Sequence, residues 1–507
     1  MRLTFHHPTR PPPRRQAITF VEDMTAAEKA LKVEKVPAGL QNLGNTCYMN
    51  ATLQCLRQMP ELQSALAGVN ADGHTFTNSD LMRLLMTPPQ TPAGQLIMER
   101  LPAIMSSCIG HTCRQLDTSG AALPPVAFVE LLRNFYAEPF AAKTPQGHWM
   151  QQDAEEFFTL ITDLLKRALP STGENSFDAL MGLELEETLA CIETDLEPVI
   201  TKRERQTKLV CNISGGTAGA KVDHIYDGLK LALEGTVEKQ SAVLGRDAVW
   251  SKKARVVRLP KYMCFQFMRF FWNRTPGSAD HLGVKSKIMR AVAYPDIIDI
   301  YDVCSADVQA RLRANRSADD KRIEGEMTAK RAKIAEELKA ESAEGAMTVD
   351  GEAKGEPKAA AVAGGGSSGG DDGMDIALEG LDEDEAAALK AAMAFSVSGD
   401  MPPNVFSPSS APSSSSSTSS GFGQGVPADF LGHYELHGVV THKGRSCDSG
   451  HYIGWVRKEP GGDLWYKYDD QTVSPCTTAD ILRLSGGGDH DIAYFAFYKI
   501  RTTKRNG

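Results

Sequence analysis

The chain has 507 residues, which is room for about three domains. Its 55 Lys and Arg residues against 64 Asp and Glu residues give a net charge of −9, which argues against a nucleic-acid-binding protein. No apolar run approaches the roughly 18 residues that span a bilayer, and no apolar stretch follows the basic N-terminus, which argues against a secretory signal. Ten cysteines without even spacing indicate a reducing compartment, the cytoplasm or the nucleus. The absence of any C-x-x-C pair leaves a zinc ribbon without ligands, so we expect no metal and no cofactor.

Composition divides the chain into five segments. Residues 1–37 are Pro- and Arg-rich at first and predict a largely disordered extension. Residues 38–304 have a globular pattern, whereas 305–428 are first charged and then rich in Gly and Ser, which predicts a disordered insertion. A globular pattern resumes over 429–501, and 502–507 form a tail. Because the second globular block is small, we expect its strands to pair with the first, giving one interrupted domain.

Secondary structure follows from periodicity within these blocks. The β-branched and aromatic runs at 255–260 and 262–272 predict buried strands. The charged, Ala-rich stretch 305–345 predicts a solvated helix at best. In the second block, HYELHGVVTHKG and GHYIGWVR alternate apolar and polar side chains, as half-buried strands do.

A candidate nucleophile lies in GLQNLGNTCYMNATLQCL, residues 39–56. Asn45-Thr46 is a plausible N-cap, and apolar residues follow at i, i+4 and i+7 (Met49, Leu53 and Leu56), so a helix should begin near Cys47. A thiol there meets the positive end of the helix dipole, which favours thiolate. Asn42 could donate its side-chain amide to a developing oxyanion. The alternative is that Cys47 is a small buried residue at a helix start.

A nucleophilic cysteine needs a base and an orienting group, and the second block offers both. His451 opens an apolar strand directly after a Gly-flanked loop. Asp469 and Asp470 end the next strand-like run, so two antiparallel strands could bring His451 beside one of them. His442 is the nearest rival for the base, but it lacks the Gly-flanked exposed position.

Three separated boxes resemble those of a known family. GLQNLGNTCYMN, QQDAEEF (151–157) and GHYIGWV with WYKYDDQTVS are similar to the Cys, Gln-Asp and His boxes of the ubiquitin-specific proteases, papain-like cysteine isopeptidases that remove ubiquitin. Further stretches resemble the proteasome-associated branch of this family: FVEDMT (20–25), GLKL (228–231), RLPKYM (258–263), MRFF (268–271) and ILRLSGGGD (481–489). The resemblance implies an α+β, papain-like fold with thumb, palm and fingers, the fingers being among the strands around 185–270.

The resemblance also assigns catalytic roles. It implies that Cys47 is the nucleophile, His451 the general base, Asp469 the residue that orients the imidazole, and Asn42 the oxyanion donor. Asp470 could share the third role, and the sequence does not rank the two aspartates.

The Gln-Asp box implies a surface for the arginine-bearing tail of ubiquitin, formed by Gln152, Asp153 and Glu156. Asp153 and Glu156 are three apart on a predicted helix and hence on one face, and carboxylates suit guanidinium groups. The alternative is a solvated helix face with Phe157 and Ile161 in the core.

Segments around the site carry two further expectations. Loops 444–450 and 272–280 correspond to loops that cover the tail-binding cleft of the resting enzyme in this branch, which predicts gated activity. Within the insertion, 381–400 resembles a ubiquitin-interacting motif, with an acidic head and a stripe that includes Leu389, Ala392 and Ser396. An incidental Ala-rich helix is the alternative there.

The resemblance predicts a thiol-dependent deubiquitinase that cleaves isopeptide bonds after the C-terminal glycine of ubiquitin, trimming substrates on the 26S proteasome. The 37 residues before the Cys box do not resemble the ubiquitin-like docking domain usual in this branch. Proteasome recruitment is therefore expected from the catalytic domain alone. The alternatives are a catalytically silent ubiquitin-binding scaffold and a general papain-like protease, and no nucleic-acid or membrane partner is expected.

Overall fold

The computed structural model describes residues 36–69, 85–87, 91–173, 176–213, 221–273, 284–345, 422–445, 449–488 and 490–502. The helices are α1 (Cys47–Arg57), α2 (Pro60–Val69), α3 (Pro92–Thr118), α4 (Val126–Phe135), α5 (Ala137–Phe140), α6 (Ala154–Ala168), α7 (Phe177–Leu180), α8 (Ile225–Leu233), α9 (Ala306–Gly345) and α10 (Thr478–Leu482). The strands are β1 (Leu183–Cys191), β2 (Ile200–Gln206), β3 (Leu209–Cys211), β4 (Glu234–Ser241), β5 (Arg246–Arg258), β6 (Tyr262–Phe267), β7 (Phe270–Asn273), β8 (Val284–Lys287), β9 (Ile297–Asp299), β10 (His433–Lys443), β11 (His451–Arg457), β12 (Leu464–Asp469), β13 (Thr472–Thr477) and β14 (Ile492–Ile500).

The larger sheet joins the two globular blocks of the sequence. Its strand order is β13-β12-β11-β10-β14-β6-β3, and β9 pairs with β10. Strand β14 is antiparallel to β6, and Tyr498 lies opposite Met263. The prediction that the second block pairs with the first is therefore confirmed.

The sheet is covered on both faces. Alternate residues of β11 enter different cores, because successive side chains of a strand point to opposite faces. Tyr452 and Val456 pack with helices α1, α3 and α6. Ile453 and Trp455 pack with α8 and the start of α9. Every residue of β6 is buried, as expected for a strand with two covered faces, which confirms the strand prediction there.

Helix α1 lies at the centre of the first core, and each of its 11 residues is buried. Ala51 of this helix lies against Gly454 of β11. A Cβ at position 454 would come 2.9 Å from the Ala51 carbonyl oxygen, so the two backbones are in close contact. The close approach fixes the distance between the start of α1 and the start of β11.

A second sheet has the order β2-β1-β5-β4 and lies within residues 183–258. Its outer strand β2 is largely exposed. These strands fall in the region where the sequence predicts the fingers.

The prediction that residues 305–428 are disordered is wrong at both ends of this segment. Residues 306–345 form the 40-residue helix α9, whose first turns are anchored by Val308 (2% exposed) and Leu312 (0%). Phe422 and Val426 are also buried. The dominant charged composition concealed an apolar pair at i, i+4 spacing. Residues 321–336 are exposed throughout, as predicted for a solvated helix.

None of the helices in the described ranges is both long enough and apolar enough to cross a membrane.

Candidate active site

Cys47 is the first residue of α1, as the sequence predicts, and is 2% exposed. Its thiol lies at the positive end of the helix dipole, which stabilises negative charge on sulfur. Thr46 occupies the N-cap position but makes no side-chain cap. A capping residue normally has an extended backbone, but that of Thr46 is not extended. Its hydroxyl instead accepts from the Leu43 N–H at 3.0 Å. The predicted N-cap position is therefore confirmed at Thr46, although its side chain does not make the capping hydrogen bond.

His451, the first residue of β11, connects the thiol to a carboxylate. Its Nε2 is 2.7 Å from Asp469 Oδ1, and the Cys47 side chain is another interaction partner of the ring. The Cys47 contact is the largest influence and, with Asp469, raises the pKa of His451 to about 9, although partial burial opposes the charge. The ring is therefore protonated at neutral pH.

The two neighbouring aspartates do different things. Burial opposes ionisation of Asp469, but His451 and Lys467 outweigh it and lower the pKa of Asp469. Asp470 Oδ2 lies 4.0 Å from His451 Nε2, beyond hydrogen-bond range. The geometry therefore resolves a choice that the sequence left open: Asp469 contacts the imidazole and Asp470 does not hydrogen-bond to it.

Asp470 instead accepts hydrogen bonds from two asparagines, one in the segment before Cys47 and one on α1. It is 9% exposed, and its carboxylate accepts from Asn42 Nδ2 and from Asn50 Nδ2, each at 2.8 Å. Asn42 Oδ1 accepts from the backbone N–H groups of Gly44 and Thr46 at 3.0 and 3.1 Å. The exposed Asn42 amide is thus held by hydrogen bonds at both its oxygen and its nitrogen. Its second Nδ2 hydrogen can point to a ligand. Sequence reasoning missed Asn50, whose role depends on a residue 420 positions away.

The Gln-Asp box differs from its prediction. Helix α6 begins at Ala154, and Asp153 is its N-cap, accepting from the Glu155 N–H at 2.9 Å. Asp153 is 6% exposed and also accepts from the Tyr494 hydroxyl at 2.8 Å. Asp153 and Glu156 therefore do not share an open helix face, because Asp153 precedes the helix and turns inward. An aspartate ahead of a helical run is itself an N-cap signal.

The other two residues of that box, Gln152 and Glu156, differ in their exposure to solvent. Glu156 is exposed on α6. Gln152 is 7% exposed, and its Nε2 donates to the Met150 carbonyl at 3.3 Å.

His442, the rival base, lies inside the fold. It is 0% exposed, and burial, reinforced by the nearby Lys287 cation, lowers its pKa to about 3. Lys287 Nζ lies 3.1 Å from His442 Nδ1. This buried lysine was not found by sequence reasoning, because a lysine in a polar stretch has no pattern that signals burial.

Leu389, Ala392 and Ser396 lie outside the described residues, as do positions 274–280 and 446–448 of the two flanking loops. Within the described residues, no group of three or more His, Cys, Asp or Glu side chains could hold a metal ion.

Comparisons with known proteins place this arrangement in a family. The sequence model described as "Ubiquitin carboxyl-terminal hydrolase" matches residues 38–498. Ubiquitin carboxyl-terminal hydrolase 6 of Arabidopsis thaliana is 33% identical over 495 residues, which cover 96% of this chain and 82% of the relative. Ubiquitin carboxyl-terminal hydrolase 14 of Caenorhabditis elegans is 28% identical over 470 residues, 92% of this chain and 74% of the relative.

A solved structure described as the "SAGA Ubp8/Sgf11/Sus1/Sgf73 DUB module bound to ubiquitin aldehyde" covers 92% of this chain and 70% of its own, with a TM-score of 0.49 and 16% identity. The family assignment comes from the sequence matches.

The protein has the papain-like α+β fold of the ubiquitin-specific cysteine proteases. The chain belongs to the ubiquitin carboxyl-terminal hydrolase family and is a cysteine-type deubiquitinase. Ubiquitin is accordingly its substrate, which sets aside the general protease and the silent scaffold.

Proposed function

We propose that Cys47, His451, Asp469 and Asn42 carry out thiol-dependent cleavage of isopeptide bonds after the C-terminal glycine of ubiquitin. The observation that supports this most directly is the His451 imidazole, whose Nε2 lies 2.7 Å from Asp469 Oδ1 and which interacts with the Cys47 side chain. A nucleophile, a base and an orienting carboxylate in one contact chain are what covalent acyl transfer requires.

In the first half-reaction, the Cys47 thiolate attacks the glycine carbonyl carbon. A C–S bond forms, and the carbonyl oxygen becomes an oxyanion that accepts from the Asn42 amide and from backbone N–H groups. The intermediate then collapses to a thioester. The C–N bond breaks, and the His451 imidazolium gives its proton to the departing lysine amine.

In the second half-reaction, neutral His451 takes a proton from water as the water oxygen attacks the thioester. The C–S bond breaks, ubiquitin leaves with a free carboxylate, and the thiolate–imidazolium pair is restored. Asp469 holds the imidazole orientation through both steps.

The experiment is ubiquitin-AMC hydrolysis by the full chain carrying Cys47→Ala. We expect turnover to be lost while ubiquitin binding persists, because the substitution removes one sulfur from a site otherwise intact. Cys55→Ala on the same helix is the matched control, since its thiol is buried away from His451 and donates to the Val439 carbonyl. Retained turnover in Cys47→Ala would assign the nucleophile elsewhere.

We propose that Gln152 and Glu156 bind the ubiquitin tail, with Asp153 supporting them from beneath as the cap of α6. The exposed carboxylate of Glu156 supports this role, since it can accept from a guanidinium group. Glu156→Lys should raise KM for ubiquitin-AMC, whereas Asp163→Lys, also exposed and seven residues along the same helix, should not. An equal effect of both substitutions would indicate long-range charge rather than contact.

We also propose that this deubiquitinase acts on proteasome-bound substrates in the cytoplasm or the nucleus. Support comes from the stretches that resemble the proteasome-associated branch, two of which meet: the Arg269 guanidinium of MRFF donates to the Ser485 carbonyl of ILRLSGGGD at 2.9 Å. A pull-down of intact 26S proteasome by the Cys47→Ala chain tests the association, and fractionation of cells tests the location. Failure to retain proteasome would refute the association without affecting the hydrolase assignment.

The segment 381–400, with Leu389, Ala392 and Ser396, is proposed as an accessory ubiquitin-binding helix. Its deletion should weaken binding to ubiquitin chains more than it slows ubiquitin-AMC cleavage. Deletion of 401–420, a Ser-rich segment of the same length, is the control. Equal chain binding by both deletions would show that the motif is incidental.

A further inference from the structure

The five residues before Cys47 adopt a conformation that needs external support. Gly44 has a φ of +89° and Asn45 a φ of +52°, so two consecutive residues are left-handed. Glycine adopts this region freely and asparagine tolerates it better than most residues. A strained backbone of this kind persists where surrounding contacts determine it. One side of this loop, residues 42–46, is already held by Asp470 through Asn42.

Arg133 holds the opposite side. It lies half-buried on α4, and its Nη2 donates to the Leu43 carbonyl at 3.0 Å and to the Gly44 carbonyl at 2.9 Å. These carbonyls belong to the peptide groups on either side of Gly44. Their orientation sets that of the N–H groups in the same planar peptides, so Arg133 fixes the direction of the loop amides.

Trp149 supports Arg133 and contacts the loop directly. The guanidinium carbon of Arg133 lies 4.0 Å from the centre of the Trp149 ring, and Lys143 Nζ lies 4.1 Å from it, so two cations contact one indole. The Trp149 carbonyl accepts from Asn45 Nδ2 at 2.8 Å. A Cβ at position 44 would come 2.9 Å from Trp149 Cδ1, so only glycine fits there.

Trp149 is itself fixed by a short hairpin. Lys143 and Trp149 form an antiparallel bridge, and the Met150 N–H donates to the Ala142 carbonyl at 2.9 Å. Gln152 and the N-cap Asp153 follow within three residues of Met150, so the same segment that supports the loop leads into α6.

We propose that Arg133 and Trp149 are positioning residues that hold loop 42–46 in the geometry that directs its donors at the oxyanion. This inference rests on the proposed function of Cys47 and Asn42. Arg133 acts through the two carbonyls and the indole, so its contribution falls on the transition state rather than on ubiquitin binding. A lysine could donate to one carbonyl, but it lacks the planar group that stacks on the indole.

The test compares two reactions of the full chain. Hydrolysis of ubiquitin-AMC passes through an oxyanion, whereas alkylation of Cys47 by ubiquitin with a C-terminal propargyl amide forms a vinyl thioether and no carbonyl oxyanion. We expect Arg133→Gln to lower kcat for ubiquitin-AMC by about 10-fold to 100-fold, the scale of a misplacement near 1 Å. KM and the alkylation rate should stay near the wild-type values. Arg133→Lys should recover part of the loss, and Trp149→Phe, which keeps an aromatic face, should lose less than Arg133→Gln.

Arg167→Gln is the matched control, because Arg167 is an exposed helical arginine that pairs with Asp163 at 3.6 Å. It should leave both rates unchanged. Unchanged kcat in both Arg133→Gln and Trp149→Phe would overturn the inference. So would an equal loss of hydrolysis and alkylation, which indicates damage to the thiol or to the fold. A wild-type chain that neither hydrolyses ubiquitin-AMC nor is alkylated at Cys47 would refute the proposed function instead.

Discussion

Two histidines on neighbouring strands have opposite chemistry because one faces the interior and the other the cleft. His442 on β10 lies opposite Tyr452, the residue next to His451, in the strand register. Burial lowers the pKa of His442 to about 3. The Cys47 hydrogen bond, together with Asp469, raises the pKa of His451 to about 9. A single step between strands therefore separates a neutral ring from a charged one: burial keeps His442 neutral, whereas Cys47 and Asp469 favour the charged form of His451.

The largest expected effect comes from substituting each of these two histidines separately. His451→Ala should lower kcat for ubiquitin-AMC by about 10⁶-fold, the scale of removing the base of a nucleophile–base pair. His442→Gln should leave kcat near the wild-type value and lower the free energy of unfolding, because a buried contact with Lys287 changes. Steady-state kinetics and urea unfolding measure the two outcomes. An inactive but folded His442→Gln enzyme would break the comparison.

Next in size is the difference between the two aspartates at the end of β12. Asp469→Asn should lower kcat by about 10⁴-fold, because the imidazole loses the partner that fixes its tautomer. Asp470→Asn should cost about 10²-fold to 10³-fold, since it releases an oxyanion donor but removes no hydrogen bond to His451. Kinetics on ubiquitin-AMC decide this, and a larger loss in Asp470→Asn would reverse the roles of the two carboxylates.

The pH dependence of kcat/KM should follow the titration of His451 and not that of His442. Because the pKa of His451 is raised from 6.5 to about 9, its protonated form, and the stability that the protonated form contributes, persist at neutral pH and are lost as pH rises through 9. We expect kcat/KM on an isopeptide-linked substrate to fall about tenfold per unit above that pH. In Asp469→Asn the basic limb should move to lower pH. A limb that stays in place in this variant would contradict the His451–Asp469 coupling.

The smallest effect concerns the interior beneath the cleft. Tyr494→Phe removes the hydroxyl that donates to Asp153, but the cap bond to the Glu155 N–H remains. We expect the free energy of unfolding to fall by about 1 kcal/mol, with kcat unchanged. Urea unfolding followed by fluorescence measures the change, and Tyr466→Phe, at a second tyrosine of the same core, serves as the control. An equal loss of stability in both variants would contradict a specific contribution from the Asp153 contact.

The parts of the site that the sequence could predict are those governed by local rules. The start of α1 at Cys47 follows from apolar spacing, and the strands that bring His451 to Asp469 follow from alternation and turn residues. The family resemblance added the expectation that Cys47 and His451, which are far apart in the sequence, act together. The papain-like α+β fold class also came from the family resemblance rather than from local patterns.

The remainder depends on tertiary contacts that have no local signature. The inward turn of Asp153 is completed by Tyr494, some 340 residues away. The loop carbonyls held by Arg133 and the burial of Lys287 are set by neighbours from other segments. The anchored start of α9 was missed because two apolar residues are outweighed by the charged residues around them.

Helix α9 also sets a minimum length for the segment that connects it to Phe422. The Arg311 guanidinium carbon lies 4.1 Å from the centre of the Phe422 ring, while the helix runs on to Gly345, about 50 Å further at 1.5 Å per residue. The connection 346–421 therefore starts about 50 Å from the place where it ends, a span that takes about 15 fully extended residues. Engineered shortening beyond that minimum would have to unwind the outer turns of α9.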